Sequence, residues 1–271
     1  MKFDSNLAWQ RASSAVAANR EVVLALAGVF FLLPTLGLTL LVPPPQPSPG
    51  ASTEAVLKSL NEYYSAAFPY LLPIAVLQAM GMLSLLTLLT DKNRPTVGDA
   101  IRLGLKGLLP YVMAQLLVVI GLGVVGGTVI AIGAASGIAA LAVVGAVVAF
   151  SAVAYVMIRT SLLGPVIVVD GQRNALAAIL RSWQLTQGNA ARIGLFYLLV
   201  WIAFMFVIAV ITLVLGILFA LAGSQEVSRM AEAVISSGLN AVMALYFVGI
   251  FAAVHSQLGR HAATGQGDLP G

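Results

Sequence analysis

RIGLFYLLVWIAFMFVIAVITLVLGILFALA, residues 192–222, decides the fold class. After Arg192 the stretch holds no charged residue, and its apolar side chains occupy every face instead of one stripe. A helix needs about 20 such residues to cross a hydrocarbon core roughly 30 Å thick. A barrel strand needs only about half that length and alternates with period two, which this stretch does not. In lipid, every backbone N–H and C=O must be satisfied within the protein, so a helical span follows.

Working outward, five more runs of this kind occur. The expected spans are about 22–42, 66–90, 109–132, 138–158, 192–222 and 236–257, within one polytopic membrane domain covering 1–271. Whole-chain composition agrees: 60% of residues are hydrophobic and 9% charged, against roughly 25% charged in ordinary soluble domains. The fold class is therefore an all-α integral membrane protein with six transmembrane helices. Residues 1–20 carry Lys2, Asp4, Arg11 and Arg20, so no secretory h-region is expected there.

The connections divide sharply by charge. Segments 1–21, 91–108, 159–191 and 258–271 hold Lys2, Arg11, Arg20, Lys92, Arg94, Arg102, Lys106, Arg159, Arg173, Arg181 and Arg260, with Arg192 at the edge of its span. The opposite connections, 43–65, 133–137 and 223–235, hold only Lys58 and Arg229, which makes the division 12 to 2. Lys and Arg collect on the cytoplasmic side, so 1–21 is expected to be a cytoplasmic amphipathic segment and 258–271 a cytoplasmic tail. Tyr63, Tyr64 and Tyr70 at one end, and Tyr197 and Trp201 at the other, suit headgroup anchoring. PPPQPSPG (43–50) reads as a linker, because Pro cannot continue a helix.

The polar segments before spans one, three and five share a pattern. TVGDAIRLGLKGLL (96–109) puts Val97, Ala100, Ile101, Leu105 and Leu108 on one helical face and Asp99, Arg102 and Lys106 on the other. In 170–189, Leu176, Ile179, Leu180 and Trp183 share a face from which Arg181 and Ser182 point away. Near the start, Trp9, Ala12 and Val16 align, with Arg11 turned off. Each reads as an interfacial helix leading into a membrane hairpin, a unit repeated three times. The alternative is that any loop of this length between spans looks amphipathic. Asp170–Gly171 suits a tight turn before the third such helix, and Gly188 an αL cap after it.

This third segment also resembles a known family. GPVIVVDGQRNALAAILRSWQLTQGN, through Pro165, Asp170, Ala178, Arg181, Ser182, Trp183, Leu185, Gly188 and Asn189, is similar to bacterial proteins carrying the glycerophosphoryl diester phosphodiesterase membrane domain, and to YciC-like inner-membrane proteins. The resemblance implies a multi-span membrane module, sometimes fused to a soluble phosphodiesterase. No part of this sequence has the length or acid/His content of that catalytic domain, so hydrolase activity is not implied.

Chemistry-bearing residues are few. With no cysteine, there is no disulfide, thiolate nucleophile or Cys-ligated metal. The two histidines, His255 near a span end and His261 in the tail, read as packing or interfacial residues, and no clustered carboxylates suggest a metal. No cofactor and no nucleic acid are expected. All Asp, Glu, Lys and Arg are placed in connections or at span ends, against a proton-coupled pump. Gln78, Gln115, Thr212 and Asn240 lie at depth. They are candidates for interhelical hydrogen bonds or, for Gln78, Gln115 and Asn240, for lining a cavity. Gly123 with Gly127, and Gly145 with Ala149, have small-xxx-small spacing and are expected to bring spans three and four together as the tight centre of the bundle.

Three functions of different class remain. The first is a non-enzymatic module organising membrane lipids, anionic ones among them, or a membrane-protein partner, through Arg102, Lys106, Arg173, Arg181, Trp183 and Arg192. Ordinary positive-inside anchoring explains the same residues. The second is a transporter or lipid-translocating protein with a cavity between repeats. The third, an intramembrane enzyme, needs an acid/base cluster that the sequence does not assemble.

Overall fold

The computed structural model describes residues 3–45, 50–91, 95–222 and 225–265, excluding the side chains of 219–226 and 260–265. Lys2, Lys92, Arg94, residues 46–49 of the Pro-rich linker, residues 223–224 of the 223–235 connection, the side chains of Arg260 and His261, and residues 266–271 of the tail lie outside that description.

The described residues are mostly helical, with no strand among them. In order they are α1 (Ser5–Ala18), α2 (Arg20–Ala27), a π-helical turn (Gly28–Leu32), α3 (Leu33–Leu41), α4 (Thr53–Thr90), α5 (Val97–Ala135), α6 (Ala139–Thr160), α7 (Leu163–Val168), α8 (Ala175–Thr186), α9 (Ala190–Ala222) and α10 (Gln225–Gly265). Six stretches are long and apolar enough to cross a membrane: Arg20–Leu41, Thr53–Thr90, Val97–Ala135, Ala139–Val168, Ala190–Leu218 and Val227–Gly259. Each overlaps one of the six spans expected from sequence, and most extend beyond it.

Several helices run well past the hydrocarbon core. α4 has 38 residues, about 57 Å at 1.5 Å per residue, and begins at Thr53 instead of near residue 66. Ser52 caps it, its hydroxyl accepting from the Ala55 amide at 3.2 Å, so the polar 53–65 segment is helix and not connection. The first helix absorbs Pro34 differently. Pro34 has no N–H and its ring crowds the carbonyl four residues back, and the π-helical turn directly precedes it.

The three-fold pattern is only partly realised. α1 and α8 are separate helices, but the middle segment is the first part of the continuous 39-residue α5. Thr96 caps α5 by accepting from the Asp99 amide at 3.2 Å, and nothing after it breaks the helix. Its inward face is built of small residues. Ala100, Gly104 and Gly107 are buried, while Val97 and Leu105 are exposed. Small residues win that face because α4 crosses close by: a Cβ on Gly104 would sit 2.9 Å from the Ser84 amide nitrogen and 3.1 Å from its Cα.

α1 packs along α10 instead of lying free. Ala8, Ala12 and Val16 face inward, and Ala12 and Val16 meet Gly249; Trp9 is turned to the rim, stacked on Tyr246 at 5.6 Å. The chain start is tied down by Gln257, which donates to the Asp4 carbonyl (3.1 Å) and accepts from the Asp4 amide (3.3 Å). Residues near both termini thus meet at one end of the bundle. With the α4–α5 connection and α7–α8, they form its basic end.

The core lies in the half of the bundle nearest this end. One cluster joins α7, α8 and α9 to α10 through Leu162, Val166, Ile193, Ile250 and Val254. A second joins the first span to α4 and α10 through Val23, Leu83, Leu86 and Leu245. Toward the opposite end, α5, α6 and α9 present exposed apolar side chains, which cost nothing against lipid tails. The α5–α6 hairpin is therefore peripheral, not the tight centre. A Cβ on Gly123 or Gly127 would meet nothing within 4 Å. Gly145 packs against the Val129 carbonyl, and Ala149 faces Gly126. Gly133, at the hairpin's turn, makes the closest approach.

Candidate functional site: the basic end

The segment 159–192 builds most of this end. Gly171 (φ 68°) and Gly188 (φ 76°) take up left-handed backbone on either side of α8, as the turn and cap residues required. Asn174 caps α8, accepting from the Ala177 amide at 3.1 Å. The helix then presents two faces. Ala178, Ser182, Leu185 and Thr186 are buried inward, whereas Leu176 and Leu180 are exposed. Ser182 is therefore turned into the protein, away from the exposed Leu176 and Leu180. Its hydroxyl donates to the Arg159 carbonyl at 2.7 Å, satisfying an acceptor at the end of α6 that no helical N–H reaches.

Arg159 itself is the deepest cation among the described residues, 5% exposed in the last turn of α6. It lies inside the apolar stretch Ala139–Val168 and not in a connection. Its guanidinium lies 4.6 Å from the Trp183 ring centre and 5.6 Å from that of Tyr155, and donates to Thr186 at 3.3 Å. The negative end of the α6 dipole and the two ring faces offset its charge. The Arg159 Nε has no partner among the described residues. Trp183 thus packs over the Arg159 guanidinium.

A second polar group joins distant parts of the chain. His255 Nε2 in α10 lies 3.0 Å from Asp170 Oδ1, a close contact without the alignment of a hydrogen bond. The Arg181 Nε donates to the other carboxylate oxygen at 3.5 Å. Burial pushes the Asp170 carboxyl up, but His255 and Arg181 outweigh it and hold it below the ordinary carboxylate value. Asp170 and Arg181 are both residues of the motif noted in the sequence. Their partner His255 lies 85 positions beyond Asp170, and no local spacing signals it.

A third feature is a cavity of about 530 Å³ between the end of α4, the start of α5, α7 and the turn before α8. Lys106 and Arg173 line it together with Thr87, Thr90, Asp91 and an apolar wall that includes Leu103 and Ile167. Neither Lys106 nor Arg173 has an ion-pair partner among the described residues, while Asp91 has an interaction of its own.

Of the basic candidates, Lys106 and Arg173 are brought together and Arg181 is engaged by Asp170. Arg102 and Arg192 stand exposed on α5 and α9. Tyr197, expected at the interface, packs inside against Phe251 at 5.5 Å with its hydroxyl 3.3 Å from that of Ser161. Gln78, Gln115 and Asn240 are not brought together. Gln78 donates to Thr35 (3.4 Å), Gln115 to Tyr111 (2.9 Å), and Asn240 to the Ser236 carbonyl (2.9 Å).

Fold and site define a multi-pass α-helical membrane protein whose polar side chains gather at one end. Residues 137–259, spanning α6 to α10, match the family model for the membrane domain of glycerophosphoryl diester phosphodiesterase. The match is to the membrane domain and includes no catalytic phosphodiesterase domain. No curated protein and no solved structure matches the chain.

Proposed function

We propose that this protein is a non-enzymatic module of a bacterial inner membrane, with its basic end cytoplasmic, that organises anionic lipid at that surface. The observation that carries this reading is α8. Its inner face is locked to the bundle through Ser182 and Thr186, while Leu176 and Leu180 stay exposed next to Arg173. A helix with that arrangement sits with its leucines in the acyl boundary and its basic residue toward headgroups. Near an anionic surface each basic residue contributes about 1 kcal/mol, so Arg102, Lys106, Arg173 and Arg192 together create a substantial preference. Arg181 contributes less, because Asp170 already faces its charge.

The test is lipid selection on reconstitution. Placed in nanodiscs formed from equal phosphatidylglycerol and phosphatidylcholine, the protein should enrich phosphatidylglycerol around itself. A variant with Arg102, Lys106, Arg173 and Arg192 all changed to Gln should not. Equal lipid composition around both proteins would sink the proposal.

A further inference from the structure

We infer that the cavity between α4, α5 and α7 is a discrete site for the phosphate headgroup of one anionic phospholipid. This inference rests on the lipid-organising reading and narrows it from a surface preference to a single site.

Lys106 from α5 and Arg173 from the α7–α8 turn come from elements more than sixty residues apart in sequence, yet both line the same space. Both are without an ion-pair partner among the described residues, and Asp91, the carboxylate in the same lining, has an interaction of its own. Two unpaired cations facing one cavity are an anion site in waiting, since Arg offers a planar fork to phosphate oxygens and Lys a compact charge. The volume of about 530 Å³ suits a headgroup, as small-ligand sites commonly span about 300–1,000 Å³. Gly107 lets α5 approach α7 closely along one wall, since a Cβ there would meet Ile167 at 3.2 Å.

The rest of the lining argues for a lipid over free phosphate. Leu103, Ile167 and Val169 give the cavity an apolar side. It also lies at the ends of the spans, where α4 stops at Thr90 and α7 at Val168, so acyl chains from an occupant would run along the exposed apolar surface of α5. Thr87 and Thr90 hydroxyls donate to their own helix carbonyls, which leaves their oxygens able to accept from a headgroup hydroxyl. A glycerol-bearing headgroup therefore suits the site better than choline, whose methyl groups accept and donate nothing.

The experiment is native mass spectrometry of the full chain in detergent, titrated separately with phosphatidylglycerol, phosphatidylcholine and inorganic phosphate. The expected result is one phosphatidylglycerol per protein. K106Q/R173Q should bind it about twenty-five-fold more weakly, at about fivefold for each charge. K106R/R173K should remain within a few-fold of wild type. Should the double Gln variant fail to fold, the single variants K106Q and R173Q each carry the same test at about fivefold. Wild-type affinity in K106Q/R173Q would overturn the cavity assignment, and so would equal binding of phosphatidylcholine. Inorganic phosphate binding without any retained lipid would overturn the lipid source. If K106Q/R173Q binds as wild type while R102Q/R192Q loses the lipid, the cavity site falls and the broader reading stands. If wild type shows no anionic preference at all, both fall.

Discussion

Replacing Gly104 with Ala tests the helix packing that shapes the basic end. The added Cβ would stand 2.6 Å from the Ser84 Oγ, 2.9 Å from its amide nitrogen and 3.1 Å from its Cα. The hydroxyl can rotate away, but the nitrogen and Cα belong to the α4 backbone. Bringing those contacts back to ordinary separation requires α4 and α5 to part by roughly half an ångström along their contact. Overpacking of this kind costs about 1–3 kcal/mol. The intrinsic gain of Ala over Gly in a helix, about 0.5–1 kcal/mol, opposes it. The net expectation is a loss of about 1–2 kcal/mol. Gly127→Ala is the internal control: its Cβ meets nothing within 4 Å, so only the propensity gain of about 0.5–1 kcal/mol remains. The same chemical change should thus have opposite signs on one helix. Unfolding by SDS titration in mixed micelles, followed by tryptophan fluorescence, measures both. In the Ser84→Gly background the Gly104→Ala penalty should persist, because the backbone contacts remain. A Gly104→Ala protein as stable as Gly127→Ala would refute the close crossing of α4 and α5.

Other perturbations reach the remaining contacts. Ser182→Ala leaves the Arg159 carbonyl without its buried donor and should destabilise by about 1–3 kcal/mol, read by the same titration. The depressed Asp170 carboxyl sets a pH window: its contribution is fully present above the unfolded value of about 3.9 and is lost as pH falls through the lower folded value. The stability difference between wild type and Asp170→Asn should therefore shrink in strong acid, as pH falls through that lower folded value; a difference that instead grows as pH falls below about 4 would contradict the pairing. Gly249→Ala adds only ordinary contacts at 3.5 Å to Ala12 and Val16 and should be near neutral, whereas Gly249→Leu should lever α1 off α10 and speed its proteolysis severalfold.

The spans were legible because hydropathy and length are properties of single segments. Residues 192–222 need no partner to declare themselves. Faces were harder to read. The apolar pattern around Leu105 and Leu180 marks what lipid can touch, while the protein's own contacts use Ala100, Gly104, Ala178 and Ser182. In a bilayer large apolar side chains face outward at no cost, so the hydrophobic stripe that marks the core of a soluble helix here marks the lipid-facing side. Gly123 and Gly127 show the matching error, since small-xxx-small spacing says that helices can approach and not that a neighbour is there. The candidate site was split in the same way. Asp170, Arg173, Arg181 and Trp183 sit in one recognisable motif, but Lys106 and His255 reach it only through the fold. Arg159 was hidden because it closes an apolar run, where a basic residue normally marks the start of a connection.

The membrane depth of α8 tests the central proposal most directly. The chain contains no cysteine, so single cysteines at Leu180 and at Glu54, in the polar first turn of α4, can be spin-labelled without competing sites. In reconstituted vesicles, power-saturation measurements should place the Leu180 label about 5–10 Å into the acyl boundary, accessible to oxygen, with the Glu54 label accessible to an aqueous nickel chelate. A Leu180 label as open to the aqueous reagent as the one at Glu54 would mean that α8 stands in water, and the basic end would not be a lipid-engaging surface.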